Sequence, residues 1–176
     1  MDINVVSILA FPRDKVFDAY RDNLPDMVQY LPNISKIEVA DRTEPNEHTV
    51  TFENHWFADA PIPKLAQAFI KPEMLKWIDY AKWNSEEHSC EWRIETFFMK
   101  EAVQCSGKNT FKILDDNRME MTISGDLTVN VKGVPGVPRL LAGKIQPQLE
   151  KFIIALITPN FHKINSGIEQ YLQPAD

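Results

Sequence analysis

The sequence predicts an α+β fold in which a curved antiparallel sheet of about seven strands wraps around one long C-terminal helix, with two short helices after the first strand. Three observations carry that expectation. Strand-type patterning dominates from Ile34 to Lys132. Beyond Pro138 the hydrophobic period changes from two residues to about 3.6. The opening residues join an aliphatic, β-branched run to a helix started by a proline.

Residues 3–10 (INVVSILA) read as the first strand. Pro12 is pre-organised for a first helical turn, and Val16, Phe17 and Tyr20 share one face of the helix that follows. A second short helix over Asp26 to Leu31 gathers Met27, Tyr30 and Leu31 between Pro25 and Pro32. Residues 34–43 and 48–57 form a hairpin turning through Glu44-Pro45-Asn46-Glu47, where proline and asparagine supply the turn chemistry. In its second strand Val50, Phe52, Asn54 and Trp56 share the core side, and Thr49, Thr51, Glu53 and His55 the other.

Residues 59–72 (DAPIPKLAQAFIKP) set three prolines around a helical stretch from Lys64 to Ile70 and read as a loop or lid across the sheet. Further strands follow at 74–83, 89–98, 103–114 and 118–131, the last two joined by Asp115-Asp116-Asn117. In the final strand Met119, Met121, Ile123, Leu127, Val129 and Val131 alternate with polar residues, as a half-buried strand requires. After Gly-Val-Pro-Gly-Val-Pro (133–138), a stripe runs through Leu141, Ile145, Leu149, Phe152 and Leu156 and on through Ile157, Phe161, Ile164, Ile168 and Tyr171. Pro147 and Pro159 each remove a backbone donor, which predicts one long helix, frayed or broken near 147 and kinked near 159.

The chain has 176 residues with no internal repeat, low-complexity tract or linker, so one domain over 1–176 is expected. A chain of this length buries roughly 70% of its unfolded surface without needing staples. With 25 acidic residues against 19 Lys plus Arg, the net charge of −6 argues against a nucleic-acid binder. The first residues lack the basic region of a signal peptide, and no run approaches the ~20 apolar residues of a transmembrane segment. Cys90 and Cys105 lie on consecutive antiparallel strands, facing Thr110 and Glu95, too far apart for a disulfide. Two free thiols, a reducing compartment and a cytoplasmic location are expected.

Three segments together carry a family resemblance: the opening INVVSILAFPRDKVFDAYRD, the LPNISKIEV entry to the second strand, and the terminal helix from Gly-Val-Pro-Arg to Tyr-Leu. In this order of elements the chain resembles the START-like, SRPBCC superfamily. That group has the helix-grip fold and includes lipid-transfer domains, polyketide cyclases and aromatases, and pollen-allergen-type ligand carriers. The proline-rich 59–72 stretch departs from the simpler connection often found there. The resemblance implies a cavity between the concave sheet face and the long helix. Geometry agrees, since a bent sheet and a straight helix touch along only part of their length, leaving room for a ligand filling ~300–1,000 Å³.

The inward parity nominates Phe52, Asn54, Trp56, Trp92, Ile94, Phe98, Met121, Ile123, Phe152 and Leu156 as ligand-binding residues. The plainer alternative for each is ordinary core packing. Asn54 is a buried amide that needs a partner.

Motifs for other chemistry are missing. There is no phosphate-binding loop, dinucleotide fingerprint or paired CxxC, and His48, His55, His88 and His162 lack the spacing of a zinc helix, so no cofactor and no metal are expected. Neither Ser106-Gly107 nor the cysteines have the setting of a nucleophile. For acid–base chemistry the candidates are Asp79, Tyr80 and Asn54, against a plainer reading, preferred here, of Asp79 exposed at a strand edge and Tyr80 packing on the sheet. Arg93 and Glu95 read as a solvent-side ion pair. The acid-free stretch bearing Lys132, Arg139 and Lys144 reads as a solvated rim, with transient contact to an anionic membrane surface as the alternative.

The function expected is a carrier or sensor of a hydrophobic small molecule, lipid-like or polyketide-like. A polyketide cyclase, aromatase or dehydratase is the enzymatic alternative. A protein-interaction or co-chaperone module with a filled core is the third. Oligomeric state is left open.

Overall fold

A computed structural model describes residues 1–62, 64, 67, 70–97, 100–130 and 139–173, without the side chains of 139–142 and 145. Its elements are β1 (Asp2–Leu9), α1 (Arg13–Asp22), a 3₁₀ helix (Leu24–Tyr30), β2 (Ile34–Asn46), β3 (Thr49–Ala58), β4 (Lys76–Asn84), β5 (Ser89–Thr96), β6 (Val103–Asp115), β7 (Arg118–Val129) and α2 (Arg139–Leu172). All seven strands join one antiparallel sheet in the order β1-β7-β6-β5-β4-β3-β2, and α2 packs on β1, β7, α1 and the 3₁₀ helix. This is the helix-grip arrangement.

The core lies between the inner face of the sheet and the helices. From β7 it takes Met119, Met121, Ile123 and Leu127, and from α2 Leu149, Ile153, Leu156, Ile157, Ile164 and Ile168, all buried. Phe17 of α1 is the centre of an aromatic cluster, with ring centroids 5.2 Å from both Trp83 and Phe111 in edge-to-face geometry. Two side-chain bonds tie α2 to the sheet: Asn165 Nδ2 donates to Ser7 Oγ at 2.6 Å, and Gln146 Nε2 to the Val129 carbonyl at 3.3 Å.

Three local expectations are corrected. The first hairpin turns at Glu47-His48, because β2 continues through Pro45 and Asn46 pairs with Thr49. A proline is tolerated there because β2 is an edge strand with a register shift between Thr43 and Asn46. The Asn46 side chain accepts the His48 N–H at 3.0 Å, which supplies the turn.

The terminal helix is unbroken at Pro147. The carbonyl it orphans is that of Gly143, and both residues are exposed, which leaves that carbonyl open to solvent. At Pro159 the carbonyl that loses its helical donor is that of Ala155, and in the next position the Asn160 side-chain amide donates to the Leu156 carbonyl at 2.9 Å.

The β5–β6 register places Cys90 opposite Asn109 and Cys105 opposite Ile94, one residue from the expected partners. Both cysteines are free and buried.

Parts of the expected lid (residues 63, 65, 66, 68 and 69), Phe98, and the 131–138 segment with Lys132 lie outside the described residues. Among the described residues no helix is long and apolar enough to cross a membrane.

Candidate ligand cavity

Directly opposed residues in an antiparallel sheet share a face, so the pairing register lays out the inner wall as rows. One row runs Asn54, Asp79, Ile94 and Cys105 across β3 to β6. The next runs Phe52, Ala81, Trp92 and Gly107, and a third Val50, Trp83, Cys90 and Asn109. Over these rows α1 and the residues after it bring Tyr20, Arg21 and Leu24, and α2 brings Ile157, Asn160, Phe161 and Ile164. The space between holds about 50 Å³. That is room for a few waters, well short of the volume expected from the fold, because the large side chains of both walls interdigitate.

Trp92 occupies the middle of the wall and is fixed on three sides. Beneath it Gly107 and Gly125 face each other on β6 and β7. A Cβ on Gly107 would stand 2.0 Å from the Ser124 carbonyl oxygen and 2.5 Å from the Trp92 ring, so only glycine lets the indole lie there. Its Nε1 donates to Asn109 Oδ1 at 2.8 Å. Its ring meets Phe161 of α2 at a centroid distance of 5.1 Å.

The polar end is built on β3 and β4. Asp79 is not at a strand edge, since β4 runs between β3 and β5. It borders the cavity and accepts from Asn54 Nδ2 at 3.3 Å. Burial raises its carboxyl to about 6, an effect opposed by the Asn54 and Trp56 side-chain N–H groups. The Trp56 N–H nevertheless lacks a well-formed hydrogen bond, and Asn160 Oδ1 is also buried without a partner. Burial pushes the Tyr20 hydroxyl and the Cys90 thiol up, and the Cys105 thiol to about 12, so these groups stay protonated. Tyr80 faces the other side, where the Arg93 guanidinium lies 4.4 Å from its ring centre and pairs with Glu95 at 3.2 Å.

Of the residues nominated from sequence, Asn54, Trp56, Trp92 and Ile94 border this cavity. Phe52, Met121, Ile123, Phe152 and Leu156 are buried in the core beside it. Phe98 lies outside the described residues. Sequence reasoning did not nominate Trp77, Ala81, Trp83 or Asn109, nor Tyr20 and Phe161 from the helices. The usable signal was the period-two set Trp77-Asp79-Ala81-Trp83, obscured by a carboxylate within it and by Ile78 in the opposite set.

A polar recess of about 220 Å³ adjoins the cavity, sharing Arg21 and Trp83 with it. Arg42 pairs there with Glu44 at 2.8 Å, and the His48 ring lies 3.2 Å from the Glu47 carboxylate. Among the described residues no cluster of His, Cys, Asp and Glu is arranged to hold a metal ion.

No protein-family model matches the sequence, and no curated protein matches it significantly. Solved structures do match. The Zhui aromatase/cyclase from Streptomyces sp. R1128 is 14% identical, with 98% of this chain and 96% of that chain covered and a TM-score of 0.65. Norcoclaurine synthase from Thalictrum flavum is 12% identical, covering 98% and 86% at 0.58. A START superfamily protein from Mycobacterium smegmatis is 9% identical, covering 97% and 98% at 0.50. Likeness at these identities is one of fold, and it extends over nearly the whole chain: the protein has the helix-grip fold that these structures share.

Proposed function

We propose that this protein binds a hydrophobic small molecule, lipid-like or polyketide-like, between the curved sheet and α2, as a carrier or sensor. The observation that carries this reading is an aromatic enclosure with buried, unpartnered polar atoms, the Trp56 N–H and Asn160 Oδ1, in its wall. Each such atom costs stability while it is unpaired, and a ligand in the cavity can satisfy the two that border it. The drive for binding is removal of apolar ligand surface from water, about 25 cal/mol per Å² before ordering costs. A ligand of this class exceeds the narrow space of about 50 Å³, so binding it requires α2 and the sheet to part. The helix–sheet contact yields more readily than the hydrogen-bonded strands. The buried free thiols fit a cytoplasmic setting.

Thermal shifts against fatty acids, sterols and aromatic compounds test this reading, with native mass spectrometry of protein purified without detergent. At least one class should raise Tm in a saturable way, and Ala81→Leu, which fills the cavity, should abolish the shift. Failure of every class, with no co-purified molecule, overturns it.

The cyclase or dehydratase reading gains from one observation: Asp79, with its raised carboxyl, borders the cavity. It requires Asp79→Asn to abolish turnover while binding persists.

A further inference from the structure

We infer that the molecule held here carries a protonated amine, received by Asp79 inside a cage of indole rings, on an apolar or aromatic body. This rests on the cavity being a ligand site and specifies the ligand's polar end. Among the described residues Asp79 is the one carboxylate on the cavity wall, and no cationic side chain stands within ion-pair distance of it. Arg21, the basic residue on the same wall, is engaged elsewhere, 3.0 Å from Asp18 and 2.6 Å from Asp22. The carboxylate is therefore a half-buried charge without a counter-ion, a costly arrangement unless something cationic arrives.

The surroundings suit a cation and disfavour an anion. Trp56, Trp77, Trp83 and Trp92 all border the same space. Indole faces attract ammonium groups more strongly than other aromatic rings do. Trp56 and Trp77 are stacked, their ring centres 5.6 Å apart and their planes at 19°. Hydrogen-bonding capacity points the same way. Asn160, 6% exposed, leaves its Oδ1 without a donor, and Asp79 takes the Asn54 amide at 3.3 Å with the Trp56 N–H only loosely directed at it, so the carboxylate keeps room for a further donor. An ammonium group brings three donors and no acceptor. The cation on the wall, Arg21, is already paired with Asp18 and Asp22, so among the described residues a carboxylate or phosphate on the ligand finds no uncommitted counter-charge.

The test compares three probes of nearly equal size, small enough to limit how far the walls must part: benzylamine, benzyl alcohol and benzoate, titrated against tryptophan fluorescence and by calorimetry. Benzylamine should bind at least about tenfold more tightly than benzyl alcohol, and benzoate should not bind detectably. In Asp79→Asn, an isosteric change, the preference for the amine should fall below about twofold while benzyl alcohol still binds. Equal affinity for amine and alcohol in the unaltered protein overturns the inference, as does absence of amine binding or a preference that survives Asp79→Asn. The hydrophobic-ligand reading survives each of these if the fatty acid, sterol or aromatic panel still shifts Tm, so the two failures are separable. The comparison among probes stands on the unaltered protein even if the variant folds poorly.

Discussion

Asn54 and Asp79 face each other across β3 and β4, and the Asn54 amide donates to the Asp79 carboxylate at 3.3 Å. One long hydrogen bond offsets only part of the cost of burying that charge, which is why the carboxyl stays raised. The pair joins strand register to site chemistry: slipping either strand by one residue would send that strand's group to the outer face and break the pair.

This predicts an unusual pH dependence for Asp79→Asn. The Asp79 value is about 6 in the fold against an ordinary 3.8, so the fold favours the protonated acid. Its contribution to stability is complete below about pH 4 and is lost as pH rises through about 6. Asparagine does not ionise, so the variant should exceed the unaltered protein by about 1–3 kcal/mol at pH 8. That corresponds to about 2–4 °C in Tm per kcal/mol, and the gap should close in acid. A variant less stable at pH 8 would contradict the enclosure of Asp79.

Asn109→Ala removes the acceptor of the Trp92 indole, a bond of 2.8 Å between buried groups. The cost should be about 1–3 kcal/mol, the desolvation of an unpartnered N–H. It should be read as a lower urea midpoint at unchanged m, with loss of near-UV circular dichroism from the released indole.

Two glycines should respond in opposite directions. Gly107→Ala drives a methyl group into the Ser124 carbonyl and the Trp92 ring, so β6 and β7 must separate or the indole must leave, at a cost above about 3 kcal/mol. Gly143→Ala meets nothing within 4 Å in a helix and should stabilise by about 0.5–1 kcal/mol. Urea titration of both variants measures the contrast.

Cys90 and Cys105 are buried with thiols held protonated, so neither should react with Ellman's reagent in the native protein. Both should react once the protein is unfolded. Rapid labelling of one thiol without denaturant would show that its strand opens locally.

Much of the fold is legible because its signals are local. The alternation from Met119 to Val129 and the helical stripe through Leu149, Phe152 and Leu156 each specify an element by period alone. The misplaced turn at Glu47-His48 has a local cause as well: proline counts against a strand except at an irregular edge, and edge position is not written in the residues around Pro45. The cavity wall was harder to read. Asp79 falls in the same alternate set as Trp77, Ala81 and Trp83, and a carboxylate in that set argues for solvent until β3 and β5 are paired on either side of it.

The sequence by itself determined the order of elements, the inward parity of β3 and β7 and the apolar stripe of the final helix, because each follows from hydrophobic spacing within one segment. Tertiary structure alone decided that Asp79 borders the cavity, that Gly107 and Gly125 make the bed for Trp92, and that the cavity is narrow. Those outcomes depend on distances between side chains far apart in the chain, and pairing and packing set such distances when the sheet closes on α2.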